Sequence, residues 1–305
     1  FYSRSRAIQT EEEIHVFHEE RHKQATAKGY NVMVALANPE NALQLAQVTH
    51  RLCRPRKDTH VELIHMVPVP AQTPLDAAEE FMWAGREAIM ESMLYLAMQN
   101  PISTTIRYCR SAARGIVTAV RQKKIKLLIL GWHGKKSHSH FTIGSTVDPV
   151  METAPCNILT LKNCGQNRKF KRILVPLAGG PNSRFTLETA AILASHDGGT
   201  VDILTVDTGR ASKFDAEAFL AMHQSKLPID PHAVSARKVP GSNIVETILD
   251  TAEEYDLVVM GNTHESRLQR MTHTPIPETI AERCDKPFIM CRSAKGIRRW
   301  LRRFI

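Results

Sequence analysis

The chain has 305 residues, which at ~150 residues per domain suggests two domains. With 43% apolar and 23% charged residues it is too apolar to be disordered, and apolar runs such as Leu127–Leu130 fall far short of the ~20 residues of a membrane-spanning helix. A net charge of +9 favours an anionic partner, whether nucleic acid, nucleotide or acidic membrane face, without choosing among them. None of the 6 cysteines is spaced as CxxC, which excludes a zinc ribbon or thioredoxin motif and reads as reduced thiols.

The sequence opens on Phe1 rather than Met, without a signal peptide's apolar stretch, and reads as a piece of something longer. Phe1 and Tyr2 stand beside Arg4 and Arg6, as at the cytoplasmic exit of a transmembrane helix. Residues 1–28 are polar, with Glu11–Glu13 and Glu19–Lys23, and predict an exposed helix acting as a juxtamembrane linker.

A first apolar strand follows at Asn31–Ala37, then a helix over Asn41–Leu52 and a second strand at His60–Val67. Glu79–Met98 is strongly helical, with Phe81, Trp83, Ile89, Met90, Met93, Leu94 and Leu96 as core or interface material. A helix carrying Ile116, Val117 and Val120 on one face precedes strands at Lys126–Gly131 and Cys156–Leu161. The order then repeats at offsets of about 130–140 residues: Lys171–Ala178, a helix to about Ser195, Thr200–Val206, a helix with Ile244, Ile248 and Leu249, Asp256–Gly261 and Pro287–Cys291. Short, almost continuously apolar strands alternating with helices indicate doubly wound parallel sheets. The expected divisions are 29–165, 166–294 and a basic tail at 295–305, the two halves forming separate lobes.

The sharpest motif follows the fourth strand of the first half: Gly131-Trp-His-Gly134-Lys-Lys-Ser-His-Ser-His-Phe-Thr-Ile-Gly144-Ser145-Thr146. Glycines permit close backbone approach to a ligand, and a helix opening at Gly144-Ser145-Thr146, with a good N-cap, points free amides at an anion. Such a loop lies at the strand carboxyl ends, beside the topological switch point. The spacing G-x2-G-x9-G-S resembles that of nucleotide-binding universal stress proteins, and the two halves resemble a tandem of such domains over roughly Gly29–Ser293. The resemblance implies two five-stranded parallel sheets in the order 3-2-1-4-5 with helices on both faces. Carried over, Met66, Leu130, Gly131, Gly134, Gly144, Ser145 and Thr146 match positions lining the adenosine and phosphates, a site for ATP or another adenine nucleotide. The sequence departs from the family in two places. Ala37 and Asn38 stand where an adenine-reading Asp is usual, as does Ala178 in the second half, and Asp148 opposes phosphate in the first helical turn. In the second half His264 replaces a glycine, and Pro275 and Pro277 remove backbone donors, so that half is expected to bind nothing.

Ala178–Ser183 resembles the SGGxDS loop of ATP pyrophosphatases but lacks its leading Ser and its Asp. His133, His138, His140, His264 and His273 have no Cys or carboxylate at ligand spacing and read as solvated, so no metal is expected. There is no catalytic constellation and no basic patch with interleaved aromatics for nucleic acid. The tail Lys295–Ile305 interleaves basic and apolar residues, as on an anionic membrane face or a partly packed tail. Together these features resemble the carboxyl-terminal cytosolic region of prokaryotic amino acid–polyamine–organocation superfamily transporters, of amino acid permease or cation–chloride cotransporter type. That resemblance implies a non-catalytic regulatory and dimerising role at the cytoplasmic face of the membrane, with the protein's own transmembrane domain as partner. The halves are expected to pack through edge strands and helices, and two chains to pair, with Phe288–Met290 as an exposed apolar strand. A free-standing tandem stress protein binding ATP and an ATP-pyrophosphatase-like enzyme are the alternatives.

Overall fold

The computed structural model describes residues 13–21, 29–74, 83–132, 146–209, 214–262 and 275–294. In chain order the first half holds β1 (Glu13–Arg21), β2 (Tyr30–Ala35), α1 (Pro39–Cys53), β3 (Thr59–Pro68), α2 (Trp83–Ala97), β4 (Ile102–Cys109), α3 (Ala112–Gln122), β5 (Leu127–Gly131), α4 (Val147–Thr153) and β6 (Asn157–Lys162). The second holds β7 (Arg172–Pro176), α5 (Ser183–Asp197), β8 (Thr200–Asp207), α6 (Ala216–His223), β9 (Val234–Pro240), α7 (Ile244–Ala252), β10 (Leu257–Gly261), α8 (Ile276–Arg283) and β11 (Phe288–Arg292).

β4-β3-β2-β5-β6 are parallel neighbours, and so are β9-β8-β7-β10-β11. Each half is therefore a five-stranded parallel sheet in the order 3-2-1-4-5. The strands are almost continuously apolar because they are covered on both faces. Val32 and Val34 point to one buried layer with Leu45, Leu52, Ile89 and Leu187. Met33, between them, points to the other layer with Ile116, Val150, Ile248 and Ile280. α1, α2, α5 and α6 thus cover one face and α3, α4, α7 and α8 the other. Each fully buried Leu, Ile or Val contributes about 1.5–3 kcal/mol of transfer free energy.

Two expectations are corrected. The sheets are not separate: β6 pairs antiparallel with β11, from Lys162 opposite Phe288 to Ile158 opposite Arg292, joining eleven strands into one sheet. Both buried layers also run across the junction. Phe288–Met290 is accordingly buried between the halves rather than exposed. Each half keeps its own strand order because the two sheets meet through a single antiparallel ladder between their edge strands. The second correction is at the amino-terminal side. Glu13–Arg21 is a strand, paired antiparallel to β4 with a bulge between His15 and Phe17, where an exposed helix was expected. β4 would otherwise present unpaired backbone groups along its outer edge. Ile14, Val16 and Phe17 suit a strand, and charged residues that read as a solvated helix are equally at home on an edge strand.

The repeat extends into polar groups of the outer strands, buried in the first half and only half-buried in the second. On β3 the Glu62 carboxylate, 1% exposed, accepts from Ser103 Oγ, from Thr105 Oγ1 at 2.6 Å and from Lys123 Nζ at 2.8 Å. His60 Nε2 lies 2.8 Å from the same Ser103 hydroxyl. On β8 the equivalent Asp202 accepts from Ser235 Oγ and, at 2.8 Å, from the Tyr255 hydroxyl. In both halves the acid stands directly opposite its serine in the ladder. These groups hold the outer strands against α3 and α7. Buried carboxylates persist only when paired and hydrogen-bonded in this way.

The junction is closed by exchange of cations. Lys162 of β6 donates to the carbonyls of Ala281 (2.6 Å), Cys284 (3.1 Å) and Glu282 (3.3 Å) at the end of α8. Arg292 of β11 donates to the carbonyls of Ala154 (2.6 Å) and Cys156 (3.0 Å) just past α4. Each half therefore satisfies the orphan carbonyls and the negative dipole end of a helix in the other.

Candidate functional site

In each half the chain leaves the first strand and the fourth strand in opposite directions at their carboxyl ends, which is where open α/β sheets bind ligands. In the first half that point lies between β2 and β5, with Ala35 level with Leu130 on one side and Ile64 on the other. Met66 on β3 and Leu130 on β5 flank the end of β2 at a separation of roughly two strand spacings, ~10 Å. Both are buried in one cluster with Met33, Trp132, Val147 and Val150. Gly131 ends β5, and a Cβ built there would lie 3.4 Å from Leu45 Cδ1 of α1, an ordinary contact. Thr146 leads into α4. The structure thus brings Met66, Leu130, Gly131 and Thr146 to one end of the sheet. Gly134, Gly144 and Ser145 lie outside the described residues, with Lys135, Lys136 and His133, His138 and His140; so do His264 and His273.

Thr146 does not cap its helix as expected. It has φ −99° and ψ −44° and its hydroxyl makes no capping bond. An N-cap side chain reaches the N2 or N3 amide from an extended backbone, and Thr146 is already helical. The first turn of α4 also contains Asp148 and Pro149. Pro149 has no N–H to offer, the same donor loss as at Pro275 and Pro277 in the second half.

At the end of β2 the position expected to read adenine is Ala37. The neighbouring Asn38 is committed elsewhere: its Oδ1 accepts from the Glu40 amide at 3.0 Å and caps α1. The polar group that does reach this end is His65, which sequence reasoning missed. It is buried on β3, with Nδ1 2.7 Å from the Leu36 carbonyl. Burial lowers its pKa and outweighs the carbonyl's opposite pull, so the ring is neutral and Nδ1 carries the proton donated to Leu36. The available signal was a histidine inside an apolar strand, between Ile64 and Met66.

Trp132 follows Gly131. Its amide donates to Leu161 at 2.7 Å, and its indole Nε1 is buried without a partner among the described residues. Lys162 Nζ lies 5.3 Å from the Trp132 ring centroid. The start of the loop therefore touches the cation that grips α8 in the other half.

The second half is filled at the matching place. Gly179 has φ +83°, and a Cβ there would meet the Phe214 ring at 2.7 Å. Asn182 is buried, donating to the Asn262 carbonyl at 2.6 Å and accepting from the Ser293 amide at 2.8 Å. It thereby ties the ends of β10 and β11 together, and Gly261 has no room for a side chain because Asn182 Cβ stands 3.0 Å from where its Cβ would be. Pro275 precedes α8, with Pro277 and Glu278 in the first turn.

The thiols are unsuited to nucleophilic or metal chemistry. All six are buried, and burial pushes Cys53, Cys164 and Cys291 up to about 12 and Cys156 up to about 11. Among the described residues no group of three or more His, Cys, Asp or Glu could hold a metal ion. No described helix is long and apolar enough to cross a membrane.

The sequence profile of the universal stress protein family matches residues 30–162 and again residues 169–292. A universal stress protein from Archaeoglobus fulgidus superposes with a TM-score of 0.57 at 15% identity, covering 86% of this chain and 96% of that one. A putative universal stress protein from Pseudomonas aeruginosa gives 0.56 at 12% identity, covering 89% and 96%. The cytoplasmic domain of a prokaryotic cation chloride cotransporter gives 0.54 at 11% identity, covering 87% and 96%. In sequence the chain is 22% identical over 244 residues to a Na(+)/H(+) antiporter of Synechocystis sp.. That match takes in 77% of this chain but only 34% of the antiporter.

Proposed function

Because the chain belongs to the universal stress protein family, in two consecutive copies, we propose that it is the regulatory, non-catalytic domain of a membrane transporter, facing the cytoplasm. The observation that carries this reading is the antiporter match, which accounts for most of this chain and a third of its relative. The remaining two thirds of such a protein would supply the membrane-spanning part, the partner of this domain. The superposition on a cotransporter's cytoplasmic domain shares the fold and agrees with that placement. The sequence relative widens the transporter class beyond amino acid permeases and cation–chloride cotransporters to cation–proton exchange.

The test is exchange activity in membrane vesicles carrying the full-length protein, with and without residues 29–294. The expected result is retained transport with an altered activity threshold. Recovery of the protein in the soluble fraction would reject the reading in favour of a free-standing tandem stress protein, and identical activity profiles would reject the regulatory role.

Within this reading the first half carries a site for an adenine nucleotide and the second half carries none. Gly131 at the end of β5, the flanking Met66 and Leu130, and the glycine spacing of the sequence support the first statement. The Asn182 bridge and the Phe214 ring support the second. Asp148 and Pro149 leave few favourable donors for phosphates, so adenosine contacts supply most of the affinity and ATP gains little over AMP. Calorimetric titration of the intact chain should give saturating heats of similar affinity for both nucleotides, lost in Gly134→Asp. Equal heats in the wild type and the variant would remove the site.

The paired-chain arrangement expected for this domain cannot use Phe288–Met290, which are consumed between the halves. Among the described residues an apolar surface left for it runs along α2 and just past its end, where Met90, Leu94 and Met98 are 52%, 68% and 89% exposed.

A further inference from the structure

α1 of the first half packs beside α5 of the second, on the face of the sheet opposite α4 and α8. His50 and His196 meet there edge to face, with ring centroids 6.2 Å apart and ring planes at 90°. Tyr95 of α2 stands against the His50 ring at 6.3 Å. Arg54 Nη1 lies 3.2 Å from His196 Nδ1. A guanidinium has donors only, so this bond exists only while His196 Nδ1 is unprotonated and accepting. His50 Nδ1 is buried without a partner among the described residues.

We propose that this seam is an acid-sensitive latch between the two halves, closed while His50 and His196 are neutral and loosened when they take protons.

The surrounding charges favour the neutral rings. α1 brings Arg51 and Arg54. α5 brings Asp197, which is already engaged by Arg51 Nη1 at 3.1 Å and by the Phe170 amide at 2.8 Å. α2 and the turn after it bring Tyr95 and the uncharged Asn100. The linker brings the Arg168 carbonyl, which takes the other Arg51 nitrogen at 2.9 Å. Two further positive charges would therefore stand among two guanidiniums and one occupied carboxylate. Burial lowers the pKa of both imidazoles, and Arg51 and Arg54 lower it further. Asn100 beside His50 and Asp197 beside His196 pull the other way without reversing it.

A histidine whose pKa is lower folded than unfolded contributes stability that is complete above the unfolded value, 6.5. That stability is lost as the pH falls through 6.5 toward the folded value. The β6–β11 ladder has no titrating partner in its backbone bonds, so acid loosens the helices without parting the sheet. The latch does not depend on whether the chain is joined to a transporter.

The test is hydrogen exchange on the intact chain at pH 7.5 and 5.5, corrected for the intrinsic pH dependence of exchange. Amides of α1 and α5 should exchange severalfold faster at the lower pH relative to those of α3 and α7, the direction set by histidines held below their ordinary pKa. In the double variant His50→Gln, His196→Gln the acceleration should vanish, because glutamine still accepts from Arg54 and takes no proton. Proton NMR of the wild-type imidazoles is the second measurement and needs no variant. Both rings should titrate below 6.5. Equal acceleration in the double variant, no acceleration in the wild type, or either ring titrating above 6.5 would overturn the proposal.

Discussion

Replacing Lys123 by methionine should destabilise the protein at pH 7 by an amount near the low end of about 3–5 kcal/mol, the range for removing one partner of a buried ion pair. The low end applies because the Lys123 side chain keeps 23% of its exposure, whereas that of Glu62 keeps 2%. The variant strands the Glu62 carboxylate on β3 with only the Ser103 and Thr105 hydroxyls. Its pH dependence should be opposite in sign to that of the wild type. In the wild type burial raises the Glu62 pKa, but the Lys123 charge and the bonds from Lys123, Ser103 and Thr105 outweigh it and hold the group below its ordinary 4.5. That stabilisation is complete above 4.5 and is lost as the pH falls through the lower folded value. In Lys123→Met burial acts with little opposition and the pKa rises. The variant should then recover stability between pH 7 and pH 5, as Glu62 takes up a proton. Urea unfolding at pH 7, 6 and 5 measures this. A deficit that stays constant over that range would mean that Glu62 is not a buried anion.

Lys162→Met should cost about 2–4 kcal/mol. Three carbonyls at the end of α8 lose a charged donor inside the junction, and methionine fills the volume without replacing it. The melting temperature should fall by roughly 2–4 °C for each kcal/mol lost. The effect should fall on the coupling between halves: one cooperative calorimetric transition should broaden or divide. Arg292→Met should act in the same way on α4. Its guanidinium stays charged at neutral pH although burial lowers it to about 10. If Lys162→Met leaves the thermogram unchanged, the carbonyl contacts are not what joins the halves.

The strands that were legible in the sequence are those buried on both faces by apolar side chains. Val32–Val34, Leu127–Leu130, Ile173–Val175 and Leu257–Val259 announce themselves because a parallel central strand has no solvent side. The third strand of each half was not legible from the residues themselves. β4 carries Ser103, Thr105 and Arg107 on one face, inward-pointing polar groups that only a partner such as Glu62 or Gln122 makes tolerable. β9 is a half-exposed edge with Arg237 and Lys238, which reads as a loop. The glutamates of β1 resemble a solvated helix face, so its sequence alone does not reveal a strand.

The candidate site divides in the same way. Gly131, Met66 and Leu130 come from the family resemblance, and they lie toward the carboxyl ends of β5 and β3. His65 was not visible, since a histidine among apolar residues signals nothing until the Leu36 carbonyl is beside it. The inert character of Thr146 depends on its backbone angles, which spacing does not report. Asn182 and Phe214 close the second half through contacts with Asn262, Ser293 and Gly179 that span up to 111 residues of chain.

What the sequence determined alone was periodic and local: two copies of one α/β pattern, the glycines after the fourth strand of the first, and the prolines at the matching place in the second, while the sheet order came with the family resemblance. These are legible because strand burial and turn chemistry act over a few neighbouring residues. What only the tertiary structure decided was relational. It joined β6 to β11, exchanged Lys162 and Arg292 between halves, laid β1 along β4, and set His50 against His196. Antiparallel pairing of two edges, and the capping of one half's helix by the other half's cation, are energies between residues more than a hundred positions apart. No local pattern carries them.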